Sequence, residues 1–579
     1  MAVLQSLPFH IVLSIVDSML SSSAPGYFTS PNTALPILHT CQALRTAFLK
    51  RTCSTVLLEL GKSATPSYRH PQCAAVISPL THTTAPLVTT FLIESRSWNY
   101  IVTGNGLAWI LSAGELCFSS ARALEFQVGD CVFERTLTDA EISTSIVNIE
   151  AFLRNAKKMA PHVRSVQVRL GKVLFALTKQ HHREAVSSAV AEVMRGVRSV
   201  GFDEDSRSMI SIDLTPKDLA GLTDFKYEFR GGGHAWFAEI VRHNAGTLRS
   251  LRVKDAPRNS ALELLSQSHG PVVYPVLETL VLENVRSPDG RGRALGNGAL
   301  GEPMGSSSSR ASVAHFPALR TLRVTDMYPF PNNVLLQGRN TTLEHLEIPV
   351  ARYAAWPDIR YPPFDHSELH GLKTLVVQNT QSQAHFVHAD GGRSNSTEAS
   401  VVAYLRSLLS HSSAVKRVDY GGQVPKGQLC PLLGDGALQS IRVLTAGQTS
   451  MSFSRLVRLL QRTPQLRRLT IGLDNKEPEI DGVEATRIQE YIATNLSPLN
   501  GSVVHMELNM GFGTPACFLA RIVGLLAIGC PGLSTFEYWP GRRSDLRREL
   551  EQLAEKPPYS AYAGRLRAFV ARALFDNGR

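Results

Sequence analysis

One phrase of apolar and polar positions keeps returning along this chain. It is an apolar residue, two variable residues, a second apolar residue, one variable residue, then a third apolar residue. It reads Leu248-Arg-Ser-Leu251-Arg-Val253, then Leu277-Glu-Thr-Leu280-Val-Leu282 and Leu319-Arg-Thr-Leu322-Arg-Val324. Two further clear copies are Leu343-Glu-His-Leu346-Glu-Ile348 and Leu372-Lys-Thr-Leu375-Val-Val377. Weaker copies start at Val415, Leu438, Leu466, Val503 and Leu533, with earlier candidates at Val163, Val197 and Leu222. The last four residues of each phrase alternate, as a short strand with one buried face does. A lone strand of this kind cannot bury its apolar side, so it needs neighbours stacked on both edges.

The spacers between phrases carry helical periodicity. Over Ser452 to Arg462 the residues Phe453, Leu456, Val457, Leu459 and Leu460 form one apolar face. Pro464 then stops the helix before Leu466 opens the next strand. Ala516 to Ile528, with Pro531 and Leu533 after it, repeats this grammar, and so does Val401 to Leu409 before Val415. The expected fold class is α/β, a parallel stack of strand and helix repeats. The alternative is an ordinary α/β domain.

Helix, proline, strand, repeated over Val163 to Trp539, resembles the leucine-rich repeats of the ribonuclease-inhibitor-like class. The chain departs from that family in one respect. The asparagine or cysteine expected three residues after the third apolar position is missing, and Asn284 and Asn379 fall one place early.

The amino-terminal segment reads as a helical pair. Leu7-Pro8 opens one helix, and Ile11, Val12, Ile15, Val16, Met19 and Leu20 follow at helical spacing. Leu38, Cys41, Leu44 and Phe48 share one side of a second helix. Leu7-Pro8, Ile11, Ile15 and Leu20, then Thr40-Cys41-Gln42 and Arg45, resemble an F-box. Phe9-His10 stands where that family has an acidic residue, and Leu44 lies near the place of its usual tryptophan. A plain cap on the repeat stack is the other reading. The whole order resembles the divergent F-box and leucine-rich-repeat proteins common in fungi. That resemblance implies a substrate adaptor of a cullin–RING ubiquitin ligase. A Skp-type adaptor, and through it the cullin, would be held by Leu7, Pro8, Ile11, Ile15, Leu20, Leu38, Cys41 and Leu44, with a protein substrate of unknown identity on the repeats.

The implied organisation is a helical module over residues 1–55 and a linking subdomain or irregular early repeats over 56–160. The repeat stack follows over 161–540 and a helical cap over 541–579. Val56 to Leu60 and Leu124 to Val128 read as strands, and Ile146 to Met159 as a helix. Residues 285–315, rich in Gly, Ser and Arg, read as a disordered insertion, and Gln381 to Thr397 as a weaker one.

Charge and cysteine content narrow the function classes. A net charge of +11 over 579 residues suits an acidic partner, but no block of basic residues or aromatic-plus-basic motif marks a nucleic-acid binder. No run approaches the ~18 apolar residues that span a bilayer, so no membrane partner is expected. The eight cysteines form no C-x-x-C pair and read as small core residues of a reduced compartment, cytoplasmic or nuclear. Sequons at Asn340, Asn395, Asn495 and Asn500 keep a secreted, glycosylated recognition protein as a further reading.

Catalytic constellations are not legible. His181-His182-Arg-Glu184 is no H-E-x-x-H motif, and Gly231-Gly232-Gly233 lacks the lysine of a P-loop. The chain is expected to be no enzyme and to carry no cofactor. The middle position of each phrase points outward: Arg252, Val281, Arg323, Glu347, Val376, Asp419, Arg442, Thr470, Glu507 and Glu537, with Trp539 one step on. Arg252, Arg323, Glu347, Arg442, Glu507 and Trp539 are the expected partner-binding residues. A mixed row of this kind suits a protein partner better than a phosphate chain. A repeat scaffold with no ligase role would present the same row.

Overall fold

The computed structural model describes residues 54–60, 66–68, 85–95, 98–104, 117–128, 138–171, 180–204, 215–228, 235–256, 266–267 and 273–284, then 312–325 except 314, 342–350, 369–379, 406, 408–409, 412, 414–421, 429–473, 499–510, 516–539 and 543–573 except 558, with 11, 46 and 47. The chain divides into two compact units. One comprises Met1–Leu277 with Val285–Ser312, the other Glu278–Asn284 with Val313–Arg579.

In the first unit the strands are β1 (Thr55–Leu60), β2 (Pro66–Tyr68), β3 (Thr90–Ser95), β4 (Ala123–Val128), β5 (Ser165–Gly171), β6 (Ser199–Glu204), β7 (Asp224–Glu228), β8 (Ser250–Lys254) and the two-residue β9 (Ser266–Gln267). From β3 to β8 each strand pairs in parallel with the next in the chain, and β1 pairs in parallel with β3. The short β2 runs antiparallel, against β1. Phe91, Leu124, Val166, Val200, Phe225 and Leu251 occupy one register row and are all buried. The early strands therefore keep the same rhythm, with Val88, Phe91 and Ile93, then Ala121, Leu124 and Phe126, in the three apolar places.

The second unit repeats the plan with β10 (Thr279–Glu283), β12 (Thr321–Val324), β13 (His345–Val350), β14 (Thr374–Asn379), β15 (Arg417–Tyr420), β16 (Val443–Met451), β17 (Arg468–Leu473), β18 (His505–Met510) and β19 (Thr535–Trp539). The two-residue β11 (Ser312–Val313) precedes β12. Each long strand lies parallel to the next one in sequence. Leu280, Leu322, Leu346, Leu375, Val418, Leu444, Leu469, Met506 and Phe536 form one buried row. The result is a parallel α/β repeat architecture, compatible with a solenoid.

A backbone device fixes the register. At each strand entry two successive N–H groups donate to one carbonyl of the preceding repeat. Lys373 and Thr374 both donate to Glu344 O, Lys416 and Arg417 to Lys373 O, and Arg442 and Val443 to Lys416 O. Arg467 and Arg468 both donate to Arg442 O, at 2.8 and 3.0 Å. The same fork recurs in the first unit, where Arg198 and Ser199 donate to Arg164 O. The second residue of each such phrase thus sits on a rung of fixed spacing.

This ladder corrects one predicted register. Leu444 pairs with Val418 and Leu469, so the phrase is Ile441-Arg-Val-Leu444-Thr-Ala446 and does not start at Leu438. Leu438 belongs to the Leu429–Ser440 helix and is buried there. It imitates the phrase because it stands three residues before Ile441.

Helices lie between strands at Trp98–Thr103, Asp139–Met159, Gln180–Met194 and Ala235–His243 in the first unit. The second unit has Leu429–Ser440, Phe453–Arg462, Ala516–Gly529, Arg543–Leu553 and Ala563–Ala573. The Phe453–Arg462 helix buries the five apolar residues its spacing predicts. The Asp139–Met159 helix begins seven residues before the expected Ile146. Thr138 and Glu141 close a capping box there, each side chain bonding the other residue's backbone N–H. Among the described residues no helix is long and apolar enough to cross a membrane.

Candidate protein-recognition face

The outward middle row of the second unit runs Val281, Arg323, Glu347, Val376, Asp419, Thr445, Thr470, Glu507 and Glu537. Thr445 replaces the expected Arg442, which lies three residues earlier, ahead of the strand. Arg252 holds the equivalent place in the first unit, opposite Lys226 and half-buried. Trp539 stands opposite Asn509, one step beyond the row.

Several of these residues are engaged within the fold. Arg323 brings Nε to 2.9 Å from Glu347 Oε2, an ion contact without hydrogen-bond alignment, and its other end lies 3.7 Å from Glu283. Gln378 also donates to Glu347, and His345 approaches it at 3.9 Å. The Glu347 side chain is only 8% exposed, so this carboxylate is a structural acceptor first. Val281 and Thr470 are buried as well, and Thr470 donates to Glu507 at 3.1 Å. Neighbouring rows shield the middle row of a parallel sheet, which a strict in-or-out alternation does not anticipate. Glu537 is exposed.

The freer surface is the rim just ahead of the strands, on the rungs of the forked backbone ladder. In the second unit successive rungs carry Arg320, Glu344, Lys373, Lys416, Arg442, Arg467, Val504 and Ser534. The first three alternate in sign and pair: Arg320 to Glu344 at 3.5 Å, and Lys373 to Glu344 at 2.9 Å. Hydrogen bonding from Lys373 holds the Glu344 carboxyl below the usual range, and Arg320 adds to this. Lys416, Arg442, Arg467 and the adjacent Arg468 are exposed and meet no carboxylate among the described residues. Arg417, also on the rim, turns back onto Asp419 at 2.7 Å. Reading phrases by their apolar positions hides this rim; the signal was the Lys or Arg in the second place of consecutive copies.

Of the expected adaptor-binding residues, Ile11 is helical and 39% exposed. Leu7, Pro8, Ile15, Leu20, Leu38, Cys41 and Leu44 lie outside the described residues, as do the 285–311 part of the expected insertion, residues 381–397 and Gly231 to Gly233. His182 lies buried in the first turn of the Gln180–Met194 helix, its Nε2 3.3 Å from Ser143 Oγ. Among the described residues no group of His, Cys, Asp and Glu has the arrangement of a metal site. Cys530 is a core residue whose thiol burial pushes up to about 12. Cys117 and Cys517, expected in the core, are exposed; Cys117 lies in irregular backbone just ahead of a turn and Cys517 in a helix's first turn. No protein-family model matches the chain, and no curated protein matches it.

Proposed function

We propose that this chain is a non-enzymatic recognition protein of the F-box and leucine-rich-repeat type. In this reading the repeats hold a protein substrate and the amino-terminal module docks a Skp-type adaptor of a cullin–RING ubiquitin ligase. The observation that carries it is the parallel stack itself. Nine strands of the second unit carry a mixed, partly buried row and an exposed charged rim, the surface chemistry of a protein-binding face. The exposure of the apolar, helical Ile11 supports the docking half, since an anchor of this kind must be available to a groove.

The test is capture of a purified Skp-type adaptor by the full chain and by its Ile11→Glu variant. Binding by the parent chain and loss in the variant, with unchanged melting, supports the ligase reading. No binding by a folded parent chain removes the F-box assignment and leaves a repeat scaffold. Asn500 weighs against the secreted, glycosylated reading at one sequon. It is 3% exposed and its amide is bonded to Leu460 O and Thr463 O, so a glycan there is incompatible with this fold.

A further inference from the structure

We propose that the rim formed by Lys416, Arg442 and Arg467 binds an extended acidic peptide segment of the partner protein. This inference rests on the recognition role proposed above and names the chemistry of its partner.

The argument starts from backbone geometry. The three residues occupy consecutive rungs, each locked by the forked hydrogen bonds from one repeat to the next. Adjacent rungs are separated by about 4.8 Å, the spacing of paired strands. Like charges held directly opposite one another on neighbouring strands repel and cost stability. The chain shows on the same row how that cost is met. At Arg320, Glu344 and Lys373 a carboxylate stands between two cations and contacts both, at 3.5 and 2.9 Å. Over the next three rungs the alternation stops. Lys416, Arg442 and Arg467 are exposed, no carboxylate of the described residues reaches them, and Arg468 adds a fourth cation beside Arg467. A carboxylate from a partner would do there what Glu344 does one step earlier.

The rim spans roughly 10 Å over two strand spacings, which an extended peptide covers with three or four residues at about 3.3 Å each. A peptide suits it better than a nucleic acid. None of these rungs carries an aromatic side chain on which bases could stack. Asp419 and Glu507 stand three residues past the rim on their strands, and a phosphate chain spreading onto the strands would meet them as like charges. Carboxylates spaced along a peptide can fall between them.

The test uses the full chain and three labelled probes: hexaglutamate, hexaglutamine and a short oligothymidylate. Two triple variants carry the same charge change. One reverses the rim, Lys416→Glu with Arg442→Glu and Arg467→Glu. The other reverses exposed arginines on two helices, Arg455→Glu with Arg458→Glu and Arg567→Glu. The expected result is salt-sensitive hexaglutamate binding that weakens roughly tenfold or more in the rim variant and less than about twofold in the control. Hexaglutamate bound no better than hexaglutamine, or equal loss in both variants, overturns the proposal. Tighter, rim-dependent binding of the oligothymidylate overturns the peptide and assigns the rim to nucleic acid. Should melting show that the reversed rim does not fold, the Lys416→Gln, Arg442→Gln and Arg467→Gln triple is read instead. Adaptor capture by the same rim variants keeps the two proposals apart, since that contact belongs to the Ile11 segment and is expected to be unchanged.

Discussion

Asn500 donates its side-chain amide to the backbone carbonyl of Leu460 at 3.1 Å, from 40 residues further along the chain. The same amide reaches Thr463 O, while Asn500 Oδ1 accepts from the Ser502 N–H. It therefore adds a second donor to carbonyls at the end of the Phe453–Arg462 helix, which also accept from the Thr463 and Leu466 N–H groups, and it does so from within the following repeat. Asn148 does the same for the Trp98–Thr103 helix, with 2.7 Å to Ile101 O. The asparagine missing from its expected place in the phrase is thus used elsewhere, as a buried clamp between repeats.

Asn500→Ala should lower stability by about 1–3 kcal/mol, because it takes the acceptor from the Ser502 N–H and removes a buried repeat-to-repeat tie. Urea unfolding of the parent and variant measures it. A change below ~0.5 kcal/mol would show that the tie carries no net stability.

The corrected register predicts a sharp contrast within three residues. Leu444 is fully buried and Arg442 is exposed. Leu444→Ala should cost about 2–5 kcal/mol through a core cavity, as should Leu280→Ala or Leu322→Ala on the same row. Arg442→Ala should stay within about 0.5 kcal/mol. Comparable losses at 442 and 444 would restore the earlier register.

The strands were legible because three apolar places per phrase must face one core, and the stacked neighbours enforce that pattern. Leu438 defeated it because a buried helix end supplied a leucine at the same spacing. Over 56–160 the sequence supports irregular early repeats or a linking subdomain, with Leu124 to Val128 as a strand; the full phrase Val88-Thr-Thr-Phe91-Leu-Ile93 is a further copy, and the copy at Ala121 is masked by a small residue in a leucine's place. The helix start at Asp139 was signalled by Thr138 and Glu141, three residues apart. The forked ladder was not legible at all, since it joins backbone groups whose side chains are unrestricted. For that reason the charges on its rungs looked like ordinary surface residues. Asn284, one place early for the expected ladder, adopts φ 57° just past its strand, a left-handed conformation that asparagine tolerates.

Arg323 and Glu347 read as partner-binding residues in sequence and as partners of each other in the structure. Arg323→Ala should cost about 1–3 kcal/mol by leaving a nearly buried carboxylate short of its cation. The double variant Arg323→Met with Glu347→Leu should recover most of that loss, since paired apolar replacements remove the desolvation cost along with the attraction. A double-mutant cycle by chemical unfolding measures the coupling. If the two losses simply add, the contact carries no energy and the residues are free to serve a partner.

His505 supplies the pH dependence. It lies on β18 with Arg468 on one neighbouring strand, Glu537 on the other and Glu507 on its own. Desolvation lowers its pKa below the ordinary 6.5, and Arg468 lowers it further, while Glu537 and Glu507 pull the other way. Above 6.5 both folded and unfolded chains hold the imidazole neutral, and its contribution to stability is constant. As pH falls, the unfolded chain takes the proton first, so stability is lost until the folded state's lower pKa is passed. His505→Gln should flatten that part of the stability profile, and Arg468→Gln should move it towards 6.5 from below by removing the nearby cation. Denaturation midpoints between about pH 5 and 7.5, with NMR titration of the imidazole, test both. A His505 that titrates above its ordinary value would mean that the two carboxylates outweigh Arg468 and the burial.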